Sequence, residues 1–304
     1  MDEILINKRY RFLFLLSSLL LVLGFLLIRY TFLPHWNPSL SRGKTEIIAR
    51  LAEGLATTLI TTVLVGSFIF FVTPSIMRRA KIEAIEPKGI NPLLKEASLK
   101  SIHWIFKGGM GRYTRAETLP MLIKRARESG VRRKLRIMLI DPENEKVCQS
   151  YASYRNGLPS AKKSGQLTAE SVRQQILATV LAAAKAGLTE PMLDVELILL
   201  PVWSVMRIDL SDDYVVVTSE DSREPGLRAD SGTHFYGTYS KDLDLQAKQG
   251  KLLPALESFS NVEIESPADL KLLMQKLTLA HADLDGSSLQ KLWDLISTKA
   301  HQYA

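Results

Sequence analysis

The stretch FKGGMGRYTRAETLP, Phe106 to Pro120, stands between an apolar run, SIHWIF, and a helical pattern, TLPMLIKRAR. A glycine-rich turn from strand into helix is the elbow of an α/β unit, where glycines permit positive φ angles and close packing. The same turn reads as a cradle for an anion. Backbone N–H groups at the helix start, the positive end of its dipole, and Arg112 and Arg115 all favour negative charge there. Gly108, Gly109, Gly111, Arg112 and Arg115 are therefore the candidate residues for binding an anion, a nucleic acid or a lipid headgroup. The stretch matches neither GxxxxGK(S/T) nor GxGxxG, so both nucleotide fingerprints are missing. The elbow reading is primary and the cradle second.

Outward from the elbow, the pattern repeats its alternation. SIHWIF reads as a buried strand, TLPMLIKRARESG as a helix ended by Gly130, RKLRIMLID as a strand, and PENEKVCQSYASYR as a helix opened by Asp141 and Pro142. LTAESVRQQILATVLAAAKAG has Thr168 three residues before Ser171, a helix start, and LDVELILLP follows as a strand. VWSVMRIDLSDDYVVVTSED reads as a hairpin turning at Ser211-Asp212-Asp213. HFYGTYS reads as a further strand, and ADLKLLMQKLTLAHA and SLQKLWDLISTKA as closing helices, the last capped by Ser287 or Ser288. The expected fold over residues 99–304 is a cytosolic layered α/β domain with a mixed sheet and C-terminal helices, in a sensing or regulatory role.

The first quarter differs in kind. FLFLLSSLLLVLGFLLIRYTFL, residues 12–33, and GLATTLITTVLVGSFIFFVTPSI, residues 54–76, each read as long enough to cross a hydrocarbon core of about 30 Å. Residues 1–76 are thus expected to form a transmembrane hairpin in a bacterial inner membrane. Its basic flanks point to both termini on the cytoplasmic side. Gly54, Thr58, Thr62 and Gly66 recur every fourth residue and suit helix packing, either on the first span or between copies in a homo-oligomer. Residues 77–98, with two prolines, read as a juxtamembrane connector.

Charge is unevenly placed along the 304 residues: the net +7 divides into +3 over residues 1–76, +11 over 77–136 and −7 over 137–304. The basic block, led by Arg78, Arg79 and Lys81, suits anionic lipid headgroups and equally nucleic-acid phosphates. Cys148 is the single cysteine, and the histidines have no carboxylate or cysteine at ligand spacing, so neither a disulfide, a metal site nor a cofactor is expected. No complete catalytic set is present. An enzyme acting on nucleotides or phosphodiesters remains the alternative, with Arg112, Arg115 and Asp141 around the glycine turn.

Two resemblances bear on function. The order SIHWIFKGG, helix, RIMLIDPEN, long helix, VMRIDLSDDYVVVTSED resembles one half of a phospholipase D-type domain over residues 100–240. Those enzymes use His-x-Lys with an aspartate four residues further on; here the corresponding place is Met206-Arg207-Ile208-Asp209, which implies a copy without its nucleophile. The whole chain, with its hairpin, α/β domain and missing catalytic set, is similar to the two-transmembrane effectors of bacterial retrons, which are anti-phage defence systems. That resemblance implies a toxic, abortive-infection effector restrained by a reverse transcriptase with its noncoding RNA and hybrid DNA, and damaging the lipid bilayer when released.

Overall fold

A computed structural model of the chain describes residues 8–27, 30–31, 44–72, 81–160, 165–259, 263–279 and 284–297. It divides into two units, Met1–Arg78 and Arg79–Ala304.

The first unit holds helices α1, Lys8–Leu27, and α2, Lys44–Val72, packed on each other. No helix among the described residues is long and apolar enough to cross a membrane. This overturns the expected transmembrane hairpin, and with it the multi-pass inner-membrane placement with both termini cytoplasmic. The expected first span, residues 12–33, runs past the end of α1, and residues 28–29 and 32–33 of it lie outside the described residues. Helix α2 carries Lys44, Glu46, Arg50 and Glu53 before its uncharged part, and the expected end of that span, residues 73–76, lies outside the described residues. Arg78 and Arg79 lie there too, whereas Lys81 pairs with Glu83 at 2.7 Å.

The inner face of α2 also differs from the small-residue stripe. Ala56 is buried, with Leu59, Val63 and Gly66 half-buried, while Gly54, Thr58 and Thr62 are exposed. The Thr58 and Thr62 hydroxyls donate to the carbonyls one turn back, Gly54 and Thr58, each at 2.8 Å. Of the stripe, only Gly66 lies on this side, beside Leu59 and Val63.

In the second unit the stretch read as a connector is folded: strand β1, Glu83–Ile85, and helix α3, Pro87–Lys100, whose Leu94, Ala97 and Ser98 are buried. Pro92 lies inside α3 without ending it. There follow β2, His103–Lys107; a π-turn, Thr114–Thr118, continuing into α4, Leu119–Ser129; β3, Arg133–Ile140; α5, Glu145–Gly157; and α6, Ala169–Thr189. Next come β4, Leu193–Leu200; β5, Met206–Leu210; β6, Tyr214–Ser219; β7, Gly226–Asp230; α7, His234–Gln249; β8, Lys251–Leu252; α8, Pro267–Lys276; and α9, Gly286–Ser297.

The strands form one mixed eight-stranded sheet in the order β1-β7-β6-β5-β2-β3-β4-β8, with β2, β3 and β4 parallel and every other pairing antiparallel. Period-two alternation splits the strands between two cores. Trp104, Phe106, Leu135, Ile137 and Leu139 face a large helical layer. Ile208, Leu210, Val215 and Val217 face α7. Helix α6 is apolar nearly all round because it is covered twice, by the sheet and by α8 and α9.

Several boundaries follow local chemistry. Gly130 ends α4 at φ 62°, its N–H donating to the Ala126 carbonyl. Thr168 and Ser171 form a reciprocal capping box on α6. Thr168→Ala is expected to lower stability by about 1 kcal/mol in denaturant titration. The stretch HFYGTYS is helical rather than a strand: Thr233 caps it, and Phe235, Tyr236, Tyr239, Leu243 and Ala247 lie on one side against the sheet. The cap of α5 is Asn144, whose Oδ1 accepts from the Val147 N–H at 3.2 Å, not Asp141. The start of α9 is held by Asp285, accepting from the Ser288 N–H at 2.8 Å, rather than by either serine.

Candidate functional site

The glycine turn leaves the carboxyl end of β2, where open α/β sheets position ligands. Gly108 N–H donates to the Met138 carbonyl at 3.1 Å and holds the turn against β3. A Cβ on Gly109 would overlap the Tyr151 ring, and one on Gly111, at φ +67°, would press on Thr179 and Leu139. Close packing thus demands these two glycines, as an elbow does. The amides of Gly109, Met110 and Gly111 have no acceptor among the described residues, so the turn also keeps donors available.

The two arginines of the turn part ways. Arg115 reaches α6, donating from Nη1 to the Gln175 carbonyl and Thr179 Oγ1, both at 3.0 Å, and from Nη2 to Gln175 Oε1 at 2.8 Å. It fastens the turn to α6 and takes no part in a cradle. Arg112 is half-buried, lines a cavity beside the turn, and has no ion pair among the described residues.

That cavity, of about 210 Å³, lies between the turn, α5, β5 and the segment after β6. Arg155, Arg207 and Glu220 line it together with Arg112. Arg207 Nε donates to Asp209 Oδ2 at 2.8 Å, and its guanidinium sits over the Phe106 and Tyr113 rings, 5.5 and 5.1 Å from their centroids. About a fifth of the Arg207 side chain (21%) is open, against 1% for Asp209. Arg155 donates to the Glu220 backbone carbonyl and to its carboxylate at 3.2 Å.

The hydrogen bonding here is incomplete. Arg207 Nη2, Arg155 Nε, Asp209 Oδ1 and Trp104 Nε1 are sealed from water and have no partner of good geometry among the described residues. An unpaired buried donor costs about 1–3 kcal/mol, more when charged. Burial pushes the Asp209 carboxyl above its usual range, although Arg207 and the Trp104 N–H pull the other way. Burial disfavours the Arg207 charge too, but Asp209 outweighs it and keeps the guanidinium protonated. Burial also raises Tyr113 and Tyr151, so both phenols are neutral at physiological pH. Glu220, Asp221 and Glu224 give the opposite wall negative character.

Asp141 is away from this cavity, its Oδ1 accepting from the Glu143 N–H at 2.9 Å. Cys148 is buried, and burial pushes its thiol up to about 11, which makes it an inert packing group. Read from the sequence alone, Arg155 belongs to a helix face suited to packing or to stacking on a base and Glu220 to a solvated loop; the structure brings the two together. The signal was partial: Tyr151, Tyr154 and Arg155 share a helix face, but nothing local says that a segment 65 positions later closes over it.

The chain matches no protein-family model and no curated protein. Among solved structures it is similar to the phosphatidylserine synthase of Haemophilus influenzae Rd KW20, at 13% identity and a TM-score of 0.38. The match covers 77% of this chain and 53% of that one, so the chain spans about half the length of the synthase. A likeness at that score fixes neither fold nor chemistry.

Proposed function

We propose that the α/β unit is a binding module for a phosphate ester, and that it holds this ligand without cleaving it. One observation carries the reading: three guanidiniums, those of Arg112, Arg155 and Arg207, line one cavity together with the glycine turn. Phosphate oxygens are the acceptors that such forked donors and helix-start amides fit. The acidic wall at Glu220 and Glu224 then suits a donor elsewhere on the ligand, such as the amino edge of a base or an ammonium headgroup.

Binding without turnover follows from what lies at β5. Arg207 and Asp209 neutralise each other, and neither supplies a nucleophile with an adjacent base. A ligand-gated module of this kind suits the sensing part of a defence effector restrained by a reverse transcriptase complex, a reading that rests on the sequence resemblance. Calorimetry with AMP and with phosphoethanolamine tests the site. Saturable binding of either, weakened at least tenfold by Arg112→Ala, is expected. Release of nitrophenolate from bis(p-nitrophenyl) phosphate by the pure protein would sink the non-cleaving reading, and no binding of either probe would sink the site.

A further inference from the structure

On the other face of the sheet, the same turn borders a second cavity, of about 470 Å³, within the range of about 300–1,000 Å³ typical of small-molecule sites. Lys107, the last residue of β2, lines it at 8% exposure, and its ammonium has no hydrogen-bond or ion-pair partner among the described residues. A buried cation is ordinarily paired. The charge that acts on it is Asp242 of α7, whose carboxylate is engaged by Gln246 Nε2 at 2.7 Å. Burial lowers the proton affinity of Lys107, and the Asp242 field only partly offsets this. At the mouth stand three large apolar side chains exposed to solvent, Val202, Met206 and Leu245.

A lone buried cation beneath an apolar rim is complementary to a molecule with one anionic end and one apolar end. We propose that this cavity binds an amphipathic anion, its acidic head on Lys107 and its alkyl or aryl tail across Val202, Met206 and Leu245. The head restores the missing counter-charge, and the tail covers apolar surface now facing water. The site is independent of the phosphate-ester cavity, which lies on the opposite face and uses none of these side chains.

The test is calorimetric titration of the full chain with decanoate, decyl phosphate and decanol below their aggregation concentrations. One-to-one binding of a charged probe is expected, with decanol at least tenfold weaker. Preference for decyl phosphate over decanoate, or the reverse, identifies the head and supports the site either way. Lys107→Met keeps the length of the side chain and removes the charge. It should weaken the charged probe at least tenfold and leave decanol unchanged. Leu245→Glu, on the exposed rim and remote from folding contacts, should weaken all three probes and decides the matter if the methionine variant does not fold. Equal affinities for charged and neutral probes, undiminished binding by Lys107→Met, indifference to Leu245→Glu, or no saturable binding would each overturn the proposal.

Discussion

Asp209→Ala is expected to destabilise the α/β unit by about 1–3 kcal/mol, since it takes from the largely buried Arg207 Nε the acceptor that the Asp209 carboxyl supplies at 2.8 Å. The lower end applies, because 21% of the Arg207 side chain remains open. The double variant Arg207→Met with Asp209→Leu should recover most of the loss, because removing both charges together removes the desolvation cost with them. Urea midpoints of the parent, single and double variants give the comparison. A single variant as stable as the parent would mean that the pair is not set in the interior as described.

The same carboxyl gives a pH signature. Burial raises Asp209 from its ordinary value of 3.8, so the folded state holds this proton more firmly than the unfolded chain does. Its contribution is therefore complete below pH 3.8 and is lost as pH rises through the folded value. Asp209→Asn removes the titration, so the stability profile above pH 3.8 should fall less steeply than in the parent. A steeper fall in the variant would contradict the direction of the shift.

What the sequence discloses here depends on whether the deciding contact is local. Gly130, Thr168 with Ser171, and the Ser211 to Tyr214 turn act within a few residues of themselves, and each is legible from its neighbours alone. The two cores are legible for the same reason, because period-two alternation is a property of a strand by itself. HFYGTYS misleads because its aromatic residues favour a strand, while its helical period shows only when Leu243 and Ala247 are added. Gly109, Gly111 and Arg112, which line the cavity, stand in the turn that the sequence marks. Arg115 bonds to Gln175, 60 residues ahead in α6, a partner its neighbours in sequence do not disclose. Arg155 and Arg207 line one cavity only when α5 is brought to the start of β5, in the middle of the sheet.

Two glycines with nearly the same backbone conformation separate strain from packing at the turn. Gly111 has φ +67° and Gly130 φ +62°, both in the left-handed region, where an L side chain costs about 1–2 kcal/mol. A Cβ on Gly130 meets nothing within 4 Å, so Gly130→Ala should cost only that conformational term. A Cβ on Gly111 would lie 2.8 Å from Thr179 Cγ2 and 3.0 Å from Leu139 Cδ2, both in the interior, which adds an overpacking cost of about 1–3 kcal/mol. Gly111→Ala is thus expected to lose about 2–5 kcal/mol in all. The added cost has a second consequence, because Thr179 Oγ1 donates to the Met110 carbonyl at 2.7 Å and accepts from Arg115. Pushing Thr179 aside loosens the turn that lines the cavity. The Gly111 variant should therefore bind a phosphate ester more weakly than the Gly130 variant, even in the fraction that remains folded. Equal stability losses for the two alanines would show that the turn is not pressed against α6. Equal binding with unequal stability would show that its amides play no part in holding the ligand.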